Sequence, residues 1–273
     1  MPRTQGDVPT SDWHRAADTD RDLLKVATAH ALAAGAKPQS HVFVVASPRP
    51  QVGKTFVARL VTDFLRLDRD DPVVFDLNPG GDALTDYLPR LAIAADIAAV
   101  KGQMALFDRL ILADGIAKVV DVGSASFERF FAIMEEISFV KEAARRGIEP
   151  VILYIADPHP LTVDAYADLQ RRLPSTVLVP VFNEAILKGR KIRTQYPFTR
   201  TATVPLQIPT LAPLLRAQLA GSRHSFIDVH DHPPMAIPVG LGYELRAWTR
   251  RAFLEFRELE LRLMLEQLRA SLR

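Results

Sequence analysis

The sequence predicts an α/β fold, a mostly parallel sheet with helices on both faces, extended by an N-terminal helix and a long C-terminal helix. Three observations predict it. Five short runs, at residues 41–46, 72–76, 117–122, 151–156 and 176–182, are rich in β-branched residues and apolar throughout rather than alternating. Strands of that kind are buried on both faces, as parallel strands are. Segments of helical periodicity, at residues 55–67, 126–146 and 160–173, lie between them, and strands separated by helices make a covered parallel sheet. Gly53, Lys54 and Thr55 stand where the first strand passes into the first helix.

In chain order, residues 1–38 form a polar tail and an amphipathic helix. That helix covers residues 20–36, with Leu23, Leu24, Val26, Ala27, Ala31 and Leu32 on one face, and Gly35 and Pro38 end it. Residues 39–220 hold the strand–helix alternation. Within them, residues 82–114 read as two or three short helices, broken near Pro89 and Gly102. Pro205 and Pro209 bracket the start of a helix at residues 210–219. Residues 221–242 form a loop rich in His and Pro. Residues 243–273 contain no helix breaker, and Leu245, Trp248, Phe253, Phe256, Leu259, Leu263 and Leu268 alternate with arginines and glutamates. This is one amphipathic helix.

Composition narrows the function classes. The 273 residues suffice for one large α/β domain. A formal net charge of +2 does not point to nucleic acid, so any basic surface is local. With no cysteine there are no disulfides, thiolate metal sites or cysteine nucleophiles. The N-terminal residues lack the charged, apolar and cleavage regions of a secretory leader. The most apolar stretch, residues 91–100, is short and carries Asp96, so it does not span a bilayer. The expectation is a cytoplasmic protein.

The strand–loop–helix around Gly53, Lys54 and Thr55 has the chemistry of a phosphate site. Backbone N–H groups at a helix N-terminus point outward with partial positive charge. Gly53 lets the backbone approach a phosphate, Lys54 reaches the terminal phosphates, and the Thr55 hydroxyl ligates magnesium. The triplet alone is a weak signal, and Pro48 stands where the usual motif has its first glycine. Two later strands end in aspartate, Asp76 and Asp121. Strand C-termini of a parallel sheet gather on one edge, where ligands bind. Both carboxylates then lie beside the loop, able to ligate a magnesium ion or its waters. A capping aspartate at a strand–helix turn is the plainer alternative for each.

These segments resemble a known family. Arg49-Pro50-Gln51-Val52-Gly53-Lys54-Thr55 resembles the deviant Walker A motif K-G-G-x-G-K-T of ParA/MinD-type ATPases. The segment VVFDLNPGGDALTDYL resembles that family's D-x-D-P-Q-G motif, KVVDVG its Walker B strand, and VLVPVFNEA the strand whose asparagine, here Asn183, recognises adenine. DVGSASFERFFAIMEE further resembles the TraL-like proteins of plasmid conjugation and mobilisation. The resemblance covers roughly residues 42–219. It implies a P-loop NTPase that binds ATP and Mg2+ and forms a homodimer with ATP. Such a switch takes part in partition, positioning or transfer of protein or DNA cargo.

Carried onto this chain, the resemblance names Lys54, Asp76, Asn78 and Arg49 as catalytic candidates. Gln51, Val52, Gly53, Lys54, Thr55 and Asn183 are the nucleotide-binding candidates, and Thr55, Asp121 and Asp76 the metal-binding ones. Arg49 takes the place of the lysine that reaches the partner's nucleotide. Pro50 and Gln51 replace two glycines, and Pro50 has no N–H to offer a phosphate. Asn78 replaces the second aspartate of D-x-D, and an amide orients a water without taking up charge. Hydrolysis is therefore expected to be slow or absent. The alternatives are a non-hydrolysing nucleotide-binding scaffold, or a P-loop kinase or ligase acting on a small metabolite.

Other features carry less. His224, His230 and His232 with Asp228 and Asp231 could ligate a metal if His-x-His lay on a strand, but a solvated loop fits Pro233 and Pro234 better. The basic residues Lys188, Arg190, Lys191, Arg193 and Arg200, with Tyr196 and Phe198, form a charged loop over the site or a nonspecific contact for DNA phosphates. The C-terminal helix mixes glutamates with arginines. That favours docking on the domain, or pairing with a second chain, over a membrane surface.

Overall fold

A computed structural model of the chain describes residues 40–67, 70–78, 83–188, 197–198, 204–219, 225–231 and 238–271. Gln39–Leu265 make one compact unit, the body that carries the sheet. A second, smaller unit includes Glu266–Arg273, of which residues 266–271 are the last turns of a helix. The helix expected at residues 20–36 lies outside the described residues.

The body is built on seven parallel strands: β1 (Ser40–Ala46), β2 (Val73–Asp76), β3 (Ala92–Ala94), β4 (Lys118–Asp121), β5 (Ile148–Ile155), β6 (Val177–Asn183) and β7 (Leu206–Ile208). Their order across the sheet is β3-β2-β4-β1-β5-β6-β7. The helices are α1 (Lys54–Arg66), α2 (Leu84–Tyr87), α3 (Val100–Leu110), α4 (Phe127–Glu136), α5 (Phe139–Arg145), α6 (Pro160–Arg172), α7 (Glu184–Leu187), α8 (Pro213–Leu219), α9 (Phe226–Asp231) and α10 (Val239–Ser271). An α/β fold with a parallel sheet between helices is observed, as the sequence led us to expect.

Alternate residues of β1, β2, β4, β5 and β6 enter two separate cores. Phe43 and Val45 of β1 join Val57, Val61 and Phe64 of α1 and Trp248, Phe256 and Leu263 of α10. Val42 and Val44 join Phe107 of α3, Phe130 and Phe131 of α4, Phe139 of α5 and Tyr166 of α6. The apolar runs were continuous because helices cover both faces. α10 lies along α1: Phe56 meets Trp248 at 5.7 Å between ring centroids, Phe64 meets Phe256 at 5.6 Å, and Trp248 Nε1 donates to the Pro209 carbonyl at 3.0 Å. Docking on the domain is thus the role of its Leu245–Leu263 face, while Leu254 and Leu261 on the other side remain exposed.

Several local expectations are corrected. β3 lies within residues 82–114, which read as helices. It is a three-residue edge strand with Ile93 and Ala94 exposed, and its composition, Ala-Ile-Ala, does not favour a strand. β7 forms between Pro205 and Pro209, where a helix start was expected. An edge strand tolerates flanking prolines, and parallel pairing with β6 extends the sheet by these three residues. Gly102 does not break α3 but sits in its first turn. The position a Cβ would take is 1.8 Å from the Asp96 carbonyl oxygen, so only glycine permits this approach. The helix expected over residues 126–146 is divided into α4 and α5 at Ser138, which takes φ 51°. The His/Pro segment contains α9, and α10 begins at Val239 rather than near Tyr243.

Candidate functional site

The C-terminal ends of β1, β2, β4, β5 and β6 meet at one edge. From β1 the chain passes to α1 on one face, whereas from its two neighbours, β4 and β5, it passes to α4 and α6 on the other. Such a reversal opens a crevice at the strand ends. The loop after β1, residues 47–53, borders that crevice.

This loop is fastened from several directions. Gly53 is the N-cap of α1 with φ 91°, and Gln51 takes φ 58°. A left-handed conformation costs a non-glycine residue roughly 1–2 kcal/mol, so Gln51 is held there by its surroundings. Lys54 folds back along the loop, and its Nζ donates to the Arg49 carbonyl at 2.6 Å. Val52 is buried, and its carbonyl accepts from Asn183 Nδ2 at 3.3 Å. A Cβ on Gly53 would stand 2.6 Å from that same Asn183 nitrogen. Gly53 is therefore required twice, for its positive φ and for the close approach of Asn183.

Asn183 ends β6 and caps α7, its Oδ1 accepting from Ala185 N at 3.2 Å. Among the described residues these two bonds use one amide hydrogen and one lone pair of its side chain.

Thr55 and Asp121 form the polar centre of the edge. Thr55 Oγ1 donates to Asp121 Oδ2 at 2.6 Å. Asp121 is fully buried, and its Oδ1 has no hydrogen-bond partner among the described residues. Burial pushes its carboxyl up to about 7, and the charge of Asp76 adds to that. Thr55 and Lys54 pull the other way. Burial also lowers the Lys54 ammonium from its ordinary range, against the attraction of Asp121. An orphaned, deeply buried carboxylate oxygen costs free energy unless a cation or donor meets it. Thr55 and Asp121 are oxygen donors of the type magnesium prefers, so the residues present fit that ion.

Asp76 stands beside Asp121 as its partner in the β2–β4 register, yet its oxygens are engaged. Oδ1 accepts from Asn78 N at 2.9 Å, and Oδ2 accepts from Thr85 N at 2.9 Å and Thr85 Oγ1 at 3.2 Å. This is the capping arrangement that the sequence offered as the alternative to metal ligation. Asn78 follows on the β2 exit. A Cβ on Gly123 would meet Asn78 Oδ1 and the Leu77 carbonyl, each at 2.9 Å. Ser126 Oγ also donates to that carbonyl, at 2.9 Å. The exits of β2 and β4 are thus pressed together.

Arg49 is turned toward its own chain. Its Nη1 lies 3.0 Å from Oδ1 of Asp157, which is 1% exposed and follows β5. Asp157 was missed in the sequence, although it carried the signal that marked Asp76 and Asp121, an aspartate just past an apolar strand. Thr85 had no signal, because only the return of the chain after β2 brings it to Asp76.

Phe198, read with the basic stretch, is a core residue 4.9 Å from Tyr166 between ring centroids, and is not available to stack on a base. Arg190, Lys191, Arg193, Tyr196 and Arg200 lie outside the described residues, as do His224 and His232. Residues 226–231, which include Asp228 and His230, are helical rather than a strand. Among the described residues no group of three His, Asp or Glu side chains is placed to hold a metal, and no helix is long and apolar enough to cross a membrane.

The chain matches no model of a known protein family and no curated protein.

Proposed function

We propose that this chain is a ParA/MinD-like P-loop protein that binds ATP with Mg2+ at the strand edge around Lys54, and acts as an ATP-dependent dimerisation switch for DNA or protein cargo in the cytoplasm. The observation that carries the reading is the Thr55–Asp121 pair. A hydroxyl at the first turn of α1 is bonded to a buried carboxylate whose second oxygen has no donor among the described residues. Lys54 stands beside them at the end of the fastened loop. In this reading Lys54 and the first N–H groups of α1 hold the phosphates, Thr55 and Asp121 hold the magnesium or its waters, and Asp76 shapes the β2 exit. Asn183 meets adenine with its remaining amide capacity. Bound magnesium would neutralise phosphate charge and bring Asp121 to its ionised form.

A second reading, a nucleotide-binding scaffold that does not turn over, is favoured by two observations. Asn78 supplies no carboxylate, and Arg49 is tied within its own chain.

The experiment is molar mass by light scattering after gel filtration, without nucleotide, with ADP–Mg and with ATP–Mg, alongside Lys54→Ala. A shift from monomer to dimer with ATP–Mg alone, lost in Lys54→Ala, is expected for the switch. One mass in all three conditions with ATP still bound leaves the scaffold. No binding of ATP–Mg at millimolar concentration defeats both.

A further inference from the structure

Arg49 is tied at two points. Its backbone carbonyl accepts Lys54 Nζ, and its guanidinium meets Asp157 at 3.0 Å. Asp157 is itself held. Its Oδ1 accepts from His159 N at 2.8 Å, and its Oδ2 accepts from Thr162 Oγ1 at 3.1 Å. Those two bonds set the turn into α6, but neither carries charge. Asp157 is 1% exposed, and of the three groups that meet its carboxyl Arg49 alone carries a full charge. β5, which Asp157 follows, is the immediate neighbour of β1, so the ion pair spans from one strand exit to the next across the crevice edge. The guanidinium is not consumed by it. The contact runs through Nη1, about a third of the side chain is exposed, and a guanidinium has five N–H donors.

We propose that Asp157 is a positioning residue that holds Arg49 in its own chain, at the mouth of the Lys54 loop, with its remaining N–H groups directed to the polyphosphate of a bound nucleotide. This rests on the nucleotide reading above. It gives Arg49 a role toward the ligand of its own subunit rather than toward a partner's. It also fits arginine there, since a planar guanidinium spreads five N–H donors over three nitrogens in a fixed fork, whereas an ammonium directs all three of its donors from one nitrogen.

The test is a double-mutant cycle on ATP–Mg affinity, read by titration calorimetry on the full chain: wild type, Arg49→Gln, Asp157→Asn and the double variant, each checked for an intact melting transition. Coupled residues give non-additive effects. Arg49→Gln is expected to weaken binding about tenfold and Asp157→Asn about fivefold, while in the Arg49→Gln background Asp157→Asn adds less than about twofold. Thr162→Ala, which loosens the same turn without touching Arg49, is expected to leave the affinity near that of wild type.

Equal losses from Asp157→Asn with and without Arg49, or a Thr162→Ala loss as large as that of Asp157→Asn, would make Asp157 a turn residue only and overturn the proposal. Should Asp157→Asn not fold, Arg49→Lys decides. Affinity close to that of Arg49→Gln upholds a positioned fork, and affinity close to wild type overturns it. Wild type that binds no ATP–Mg overturns the nucleotide reading, and this proposal with it.

Discussion

Asp76 and Asp121 are adjacent in the sheet, close the same kind of apolar strand, and are both buried, yet they do opposite work. Asp76 accepts three hydrogen bonds, two from backbone N–H groups and one from the Thr85 hydroxyl. Asp121 accepts one, from Thr55, and leaves an oxygen without a donor among the described residues. The first carboxylate stabilises the fold by satisfying groups that would otherwise be orphaned. The second is a liability to the fold, since its unmet oxygen is buried. Two carboxylates that look alike in sequence are told apart by counting donors, because a buried polar group stabilises only when its hydrogen-bonding capacity is met.

The contrast breaks most visibly if Asp76 is removed. Asp76→Ala leaves the N–H groups of Asn78 and Thr85 without their acceptor, and each buried unsatisfied group costs about 1–3 kcal/mol. A loss of roughly 2–5 kcal/mol is expected in urea denaturation. A loss below about 0.5 kcal/mol would mean that water replaces the carboxylate and that the capping role is wrong.

Asp121→Asn should do the reverse. The folded carboxyl titrates near 7, above its ordinary value of 3.8. Between those values the folded chain keeps a proton that the unfolded chain has released, so wild-type stability falls as pH rises from about 4 to about 7 and is flat above. Asp63 of α1, pushed up to about 6 by burial, falls in the same direction but is complete sooner. The difference between wild type and Asp121→Asn therefore shows best from about pH 6 to 7.5. There the asparagine variant is expected to be flatter, and at pH 8 more stable by roughly 1–3 kcal/mol in urea denaturation without magnesium. Identical profiles for the two would show that Asp121 is relieved by something other than a proton.

The smallest effects come from the threonines, and they sharpen the comparison. Thr85→Ala removes one bond of three to Asp76 and should cost about 0.5–1.5 kcal/mol at any pH from 5 to 9. Thr55→Ala removes the one donor to Asp121, so its carboxyl should titrate higher still. Its cost should then grow with pH, from near zero at pH 5 to about 1 kcal/mol at pH 8. Parallel pH dependence in the two variants would remove the distinction between the sites.

Much of this was legible before any tertiary contact. The continuous apolar runs announced strands covered on both faces. Gly53-Lys54-Thr55 at a strand–helix junction and the two strand-end aspartates announced where the polar edge lies. The short edge strands β3 and β7 were not legible, since three residues carry no measurable period and pair only because β2 and β6 are already in place. Nor was the break at Ser138, which no glycine or proline marks.

The sequence by itself determined the architecture and the strand ends where polar residues collect, because burial on both faces and strand alternation are local properties of the chain. Tertiary structure decided what each polar residue does. Asp76 caps because the return of the chain brings it Thr85. Among the described residues Asp121 is left with an unmet oxygen because Thr55 bonds only the other one. Arg49 meets a buried carboxylate because β5 places Asp157 beside it. These roles rest on hydrogen-bond partners distant in sequence, and spacing along the chain does not encode how many donors will surround a carboxylate once the sheet has formed.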